Sequence, residues 1–557
     1  MTSVGMGALA DGAVDDDAEP VAGLMMDIPL TVHLILDRMR AVHGATQVVS
    51  AVGGSGADLE LRRATFTEVL DRAEQLASAL ARLGVLPGQR VASFAWNTQE
   101  HLETYYAVSG MGAVLHTINL RLHPDQIVFT INHARDRVVI VDSSLATDLW
   151  EVRARLTTVE HVIVIGDPGP WGATALDYET LLAAEEPGFP WPAIDERSAI
   201  SLCYTSGTTG DPKGVLYSHR SVVLHALSMS GGDVFGIFED DVVLALVPLF
   251  HVMGWGLPFV CGLIGAQIVL PGRQPNTATT ACLIGSQRVT WSAGVPTVWM
   301  DLLRAAGTGG AGAVDVSSLR TVLCGGTTVP ESMMRGYHEL GVNIVQGWGM
   351  TELFPGAAVV RRAAMTDTPA GWARRTSAGR ISPLYQMRVV DEDGAVLPAG
   401  SGAVGELEVR GPIVASSYLG PPDVSPQSFR DGWLRTGDVG TIDQDGWLRI
   451  TDRLKDVIKS GGEWISSLDL ESALMGHPDV REAAVVARPD ERWGERPVAF
   501  VVLEDDAGSA EGLEEFLRER VAKWWIPDDF VVIDSIPRTS TGKFDKKRLK
   551  AQFAEGS

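Results

Sequence analysis

Short apolar runs alternate with amphipathic stretches from about residue 30 to residue 299. Over residues 65–83 the apolar positions recur at helical spacing, with Arg and Glu between them, and predict a helix. Residues 91–95 predict a short buried strand and 101–111 a second helix. Residues 138–141 and 162–165 predict two further strands. Strands that alternate with helices imply a parallel sheet covered by helices. No repeat of fixed period is visible. The longest apolar stretch, PFVCGLIGAQIVLP at 258–271, is too short to span a bilayer and predicts a buried helix or strand pair.

The pattern changes near residue 380. Residues 389–391, 404–409 and 447–451 are short β-type runs separated by Gly, Pro and Asp turns, which predicts a mostly antiparallel subdomain over 380–453. It changes again after residue 453. Helices are predicted over 467–475 and 512–523, and strands over 483–486, 498–503 and 530–533. This is a compact α+β unit of about 100 residues, an ordinary domain size. The boundary falls at 452–456. The expected organisation is a large α/β N-terminal domain over 27–453, with parallel sheets covered by helices plus the small β-rich subdomain, and a small C-terminal domain over 454–557. Residues 1–26 are acidic and lack a basic n-region, so they read as a disordered tail and not as a signal peptide.

Composition narrows the function. A chain of 557 residues exceeds what one core supports, so at least two domains are expected. The net charge of -24 argues against general nucleic-acid binding and against docking on an anionic membrane. It leaves room for an anionic ligand, because a local site can oppose the global charge. Cys203, Cys261, Cys282 and Cys324 sit in apolar or Gly-rich surroundings with no CxxC pair. They read as free buried thiols, which suggests a cytoplasmic setting. No stretch of about 18 uncharged apolar residues is present, so no integral membrane segment is expected.

The strongest chemical signal is YTSGTTGDPKGV at 204–215. A strand-like run leads into Thr205, Ser206, Gly207, Thr208, Thr209 and Gly210. Glycines let backbone N–H groups close on phosphate oxygens, the hydroxyls add donors, and Lys213 supplies positive charge. The spacing is not that of a Walker loop, because Lys213 follows Pro and precedes Gly.

This loop resembles the phosphate loop of the acyl-adenylate-forming superfamily, which includes acyl-CoA synthetases, luciferases and peptide synthetase adenylation domains. The resemblance recurs in order along nearly the whole chain. QGWGMTEL at 346–353 is similar to the nucleotide and magnesium motif, with Gln346, Gly347, Trp348 and Gly349 at the nucleotide. It implies that Glu352, with Thr205, holds Mg²⁺ and that Thr351 contacts the α-phosphate. Gly325, Gly326 and Thr327 resemble the segment that packs on adenine. WLRTGD at 433–438 resembles the ribose motif, with Asp438 accepting from the ribose hydroxyls and Arg453 close by. Lys459, Ser460, Gly461, Gly462, Glu463 and Trp464 resemble the loop that faces the site during thioester formation. Lys543 matches the catalytic lysine, whose ammonium would stabilise charge between the carboxylate and the α-phosphate.

The resemblance implies a mobile C-terminal domain that pivots at Lys455 between two half-reactions. In the first, Mg-ATP and a carboxylic acid give acyl-AMP and pyrophosphate. In the second, a thiol, that of CoA, takes the acyl group. VPLFHVMGWGLP at 247–258 resembles an acyl-site segment of fatty acyl-CoA synthetases, with His251 near the carboxylate and Trp255 at the place of an aromatic gate. Gly294, Val295 and Pro296 look like the opposite wall. Both walls are apolar, so an apolar acyl tail fits best. The similarity points to medium- and long-chain fatty acids. The same branch holds ligases for short acids such as 3-methylmercaptopropionate, and some relatives load a carrier protein instead of CoA. Long-chain members often form homodimers, and the expectation extends to this chain.

Overall fold

The computed structural model describes residues 23–205, 211–273, 275–307, 314–421, 427–461, 463–504, 509–539 and 544–556. Three sheets organise them. In the seven-stranded sheet, Arg90–Phe94 pairs in parallel with Val114–Thr117 and Asp136–Asp142, and His161–Ile165 extends the ladder. The alternating pattern foretells this arrangement. One edge of the sheet is an antiparallel hairpin of Ala199–Tyr204 and Gly214–Ser218.

A fifteen-stranded sheet has a parallel centre of Gln267–Leu270, Val242–Ala245, Trp291–Gly294, Thr321–Gly325 and Asn343–Trp348. The strands predicted after residue 380 are antiparallel. Their ladder is also continuous with the parallel centre, because Gly379–Ile381 pairs with Ala358–Val359 on one side and Trp447–Arg453 on the other. Val480–Asp490, Gly494–Leu503, Ile458–Ser460, Glu463–Ile465 and Asp529–Val532 form the third sheet, in the smaller C-terminal domain. The helix expected over 512–523 is shorter, Leu513–Arg518. Beyond it Val521 and Trp525 pack on the core of this domain.

Helix Phe66–Arg82 starts where a capping box permits. The Thr65 side chain accepts from the Glu68 N–H, and the Glu68 carboxylate accepts from the Thr65 N–H. Its apolar face, including Phe66, Val69, Leu70, Leu76 and Leu80, is buried. Each such large side chain contributes about 1.5–3 kcal/mol by leaving water. Helix Gln99–Gly110 is buried on every side, so no amphipathic stripe marks it. It lies between the two large sheets, and its Tyr105 and Tyr106 hydroxyls donate to the carbonyls of Leu249 and Pro258.

The four cysteines are free; Cys203, Cys261 and Cys324 are buried and Cys282 is half-buried. Burial pushes the Cys203 thiol up to about 11 and raises Cys261 and Cys324 further. Among the described residues, no helix is long and apolar enough to cross a membrane.

Candidate active site

A cleft of about 2570 Å³ opens between the large sheets and the C-terminal domain. Its floor is the C-terminal ends of Thr321–Gly325 and Asn343–Trp348, where an α/β sheet habitually binds ligands. Among its described lining residues are fourteen Lys or Arg and twelve Asp or Glu. The lining is therefore slightly cationic in a chain of net charge -24, as an anionic ligand requires.

Thr205 and Lys213 close the neck of the Gly/Ser/Thr loop. The Thr205 N–H donates to the Lys213 carbonyl at 2.9 Å, and the Lys213 N–H donates to Thr205 Oγ1 at 3.2 Å. The loop thus joins two antiparallel strands and does not open a helix, unlike a Walker loop. Ser206, Gly207, Thr208, Thr209 and Gly210 lie outside the described residues. Lys213 Nζ stands 4.8 Å over the Tyr418 ring, and the Tyr418 hydroxyl donates to Glu352 Oε1 at 2.5 Å. Burial and the Glu352 carboxylate hold this phenol well above the usual tyrosine range, so it stays a donor. Tyr418 escapes the sequence reading; the available signal is a lone aromatic residue in the Ser/Gly/Pro loop SSYLGPP. The Tyr217 hydroxyl donates to the Thr351 carbonyl at 2.6 Å and fixes the adjoining turn.

Asp438 and Arg453 face each other across one antiparallel pair. Arg453 Nε lies 2.8 Å from Asp438 Oδ1, and Trp348 Nε1 donates to Asp438 Oδ2 at 2.8 Å. The carboxylate is only 4% exposed, yet its four lone pairs leave capacity for further donors. Gln346 accepts from the Val329 N–H at 3.1 Å and donates to the Ser377 carbonyl at 2.9 Å. It pins the strand that presents Gly347, Trp348 and Gly349 to the cleft. Gly325, Gly326 and Thr327 line the same floor. A Cβ on Gly325 would stand 2.8 Å from the Gly347 carbonyl oxygen and 3.4 Å from Trp255 Cη2. Gly325→Ala is therefore expected to lower stability by about 1–3 kcal/mol, the usual cost of overpacking. Thermal melting checks it, and an unchanged midpoint would contradict the close approach.

On the apolar side of the cleft, residues 252–256 form a left-handed turn: φ is 38° at Val252, 45° at Met253, 58° at Gly254, 53° at Trp255 and 72° at Gly256. Each non-glycine residue in this region costs about 1–2 kcal/mol, so surrounding contacts must hold the turn. It presents His251, Val252 and Trp255 to the cleft, opposite Val295, Pro296 and Leu323. Gly294 does not reach the cleft; its Cβ direction points at Trp299 Nε1, 2.8 Å away.

From the C-terminal domain, Arg538, Thr539, Phe544 and Asp545 line the cleft, whereas Lys543 lies outside the described residues. Lys546 is half-buried, with Nζ 2.7 Å from Glu471 Oε1. Burial opposes its charge, but Glu471 and Asp452 raise its pKa. Lys455 lines the cleft, and burial lowers its ammonium below the ordinary lysine value. The hairpin of Ile458–Ser460 and Glu463–Ile465 is turned away from it. Lys459 Nζ meets Glu392 at 3.0 Å, Ser460 pairs with Gly494, and the Gly461 N–H donates to the Trp493 carbonyl at 2.7 Å. Trp464 stacks below Lys459, and Gly462 lies outside the described residues.

Thr205 and Lys213 at the base of a Gly/Ser/Thr loop, the buried Asp438 carboxylate and an apolar wall converge on one cleft between two domains. The AMP-binding enzyme family matches residues 41–419, and its C-terminal domain matches residues 469–543. A 3-methylmercaptopropionyl-CoA ligase of Ruegeria lacuscaerulensis is 40% identical over 96% of this chain and 99% of its own length. A long-chain-fatty-acid–CoA ligase of Thermus thermophilus is 42% identical over 95% and 96%. The crystal structure of an anthranilate CoA ligase with anthranoyl-AMP superposes with a TM-score of 0.85 at 29% identity, covering 95% of this chain and 99% of that one. The chain belongs to the AMP-binding enzyme family, within the acyl-adenylate-forming superfamily. It is an AMP-forming acyl-CoA ligase, a class that uses ATP, Mg²⁺ and CoA.

Proposed function

We propose that this ligase activates an apolar aliphatic acid, a medium- to long-chain fatty acid, and transfers it to CoA. The supporting observation is the apolar wall of Phe235, Val252, Trp255, Val295, Pro296 and Leu323; among these described residues there is no charged partner for an amino or second carboxyl group. His251, at the mouth of that wall, faces the carboxylate of the acid.

In the first half-reaction a carboxylate oxygen attacks the α-phosphorus, and the bond to pyrophosphate breaks. Asp438 accepts from the ribose hydroxyls while Arg453 and Trp348 hold it in place. Lys213 and the loop after Thr205 bind phosphate oxygens. The oxygen donors Glu352 and Thr205 suit Mg²⁺, which offsets phosphate charge when bound. Tyr418 orients Glu352 toward that position. Lys543, carried by the segment whose flanks line the cleft, stabilises charge at the α-phosphate. For the second half-reaction the C-terminal domain turns about Lys455 and brings the hairpin of Lys459, Ser460, Gly461, Gly462, Glu463 and Trp464 to the site. There the sulfur attacks the acyl carbon and AMP leaves.

AMP formation with ATP, Mg²⁺ and CoA across a panel from acetate to palmitate, with 3-methylmercaptopropionate, aromatic acids and amino acids, tests this reading. A CoA-dependent maximum among aliphatic acids of six or more carbons (about the reach of a medium-length chain in an apolar pocket) is expected. A maximum at 3-methylmercaptopropionate would replace the fatty-acid assignment. Adenylate formation without CoA-dependent turnover would replace the acceptor.

A further inference from the structure

The strained turn at residues 252–256 is held at both ends by Asn97 and by the helix that follows it. Strand Arg90–Phe94 runs through Asn97 into helix Gln99–Gly110. Asn97, 5% exposed, donates from Nδ2 to the carbonyls of Ala245 at 2.7 Å and Val247 at 2.8 Å, and accepts at Oδ1 from the Leu249 N–H at 2.8 Å. Its own carbonyl accepts from the Gly272 N–H at 3.1 Å. Two turns into the helix, the buried Tyr105 hydroxyl donates to the Leu249 carbonyl. The next residue, Tyr106, reaches past the turn and donates to the Pro258 carbonyl at 2.8 Å. These bonds fix the backbone just before His251 and just after Trp255. The turn between them adopts φ values that its side chains disfavour, so its shape depends on where those ends are held.

We propose that Asn97, Tyr105 and Tyr106 are positioning residues that set which acyl chains the site accepts, by fixing both ends of the turn that carries His251 and Trp255. The inference rests on the reading of the apolar wall as the acyl site. None of the three residues lines the cleft, so they act through the turn and not by touching substrate. The ATP side is anchored separately, by Gln346, Trp348 and Arg453, and does not share these bonds.

The test is kcat/KM across straight-chain acids from butyrate to palmitate for the wild type, Tyr106→Phe and Asn97→Asp, with KM for ATP measured alongside. Tyr106→Phe removes one hydroxyl and keeps the ring; Asn97→Asp keeps the acceptor for the Leu249 N–H and loses both donations. The expected result is a change of about fivefold or more in the ratio between the preferred acid and its neighbours in the series, as one lost buried hydrogen bond permits, with KM for ATP within about twofold. Should Asn97→Asp not fold, Tyr106→Phe decides alone. A profile parallel to the wild type, merely lowered, would overturn the inference and leave the acyl-site reading intact. A wild type that turns over none of these acids would overturn that reading, and the inference with it.

Discussion

Asp438→Ala is expected to lower kcat/KM for ATP by about 10²–10³-fold while KM for the acid changes little. The carboxylate is buried and bound by Arg453 and Trp348. Truncation removes the acceptor for ribose and also leaves a guanidinium and an indole N–H without their partner. Hydrogen bonds to a charged group contribute about 1.5–3 kcal/mol each, and each 1.4 kcal/mol is a factor of ten. Pyrophosphate release against ATP concentration measures the effect. Asp438→Asn keeps one acceptor oxygen and should lose much less. If alanine and asparagine behave alike and both spare ATP use, the ribose assignment is wrong.

Lys543→Ala and Lys455→Pro are expected to fail in opposite halves of the reaction. Without the Lys543 ammonium, acyl-AMP formation should fall by about 10²–10³-fold, the usual loss when one donor to a developing charge is removed. Thioester formation from supplied acyl-AMP should survive, because the hairpin proposed to serve it does not include Lys543. Proline at 455 fixes φ where a pivot must change it. The arrangement seen here, with Arg538, Thr539 and Phe544 in the cleft and the Lys459 hairpin held at Glu392, should persist. Adenylation should then continue and transfer to CoA stall. Single-turnover assays of each half-reaction separate the two variants, and equal loss of both halves in Lys455→Pro would sink the pivot.

Short contiguous runs in the sequence mark several of the residues that the fold brings together in the cleft. Thr205 and Lys213, the Asp438–Arg453 pair and Glu352 all reach the cleft from motifs that are visible without coordinates. Element boundaries follow where local chemistry decides them. The helix expected from residue 101 begins two residues earlier because Thr98 caps it, accepting from the His101 N–H. What stays hidden is held by distant backbone. Asn97 and Tyr106 bond carbonyls about 150 positions along the chain, and a carbonyl carries no residue identity for a pattern to record. Gly294 shows the converse: it sits in a recognisable run, yet its strand face turns toward Trp299.

The buried thiols have a consequence for an enzyme that makes an activated acyl group. Acyl-AMP is a mixed anhydride, and any thiolate within reach would capture the acyl chain and leave the protein modified. Cys203 is the penultimate residue of the strand Ala199–Tyr204 that enters the Gly/Ser/Thr loop, and Cys324 immediately precedes Gly325 on the cleft floor. Both are sealed from solvent, and burial holds both protonated at neutral pH. Since the thiolate and not the thiol is the nucleophile, the same packing that builds the floor protects the catalyst from self-acylation and leaves the intermediate for the incoming thiol.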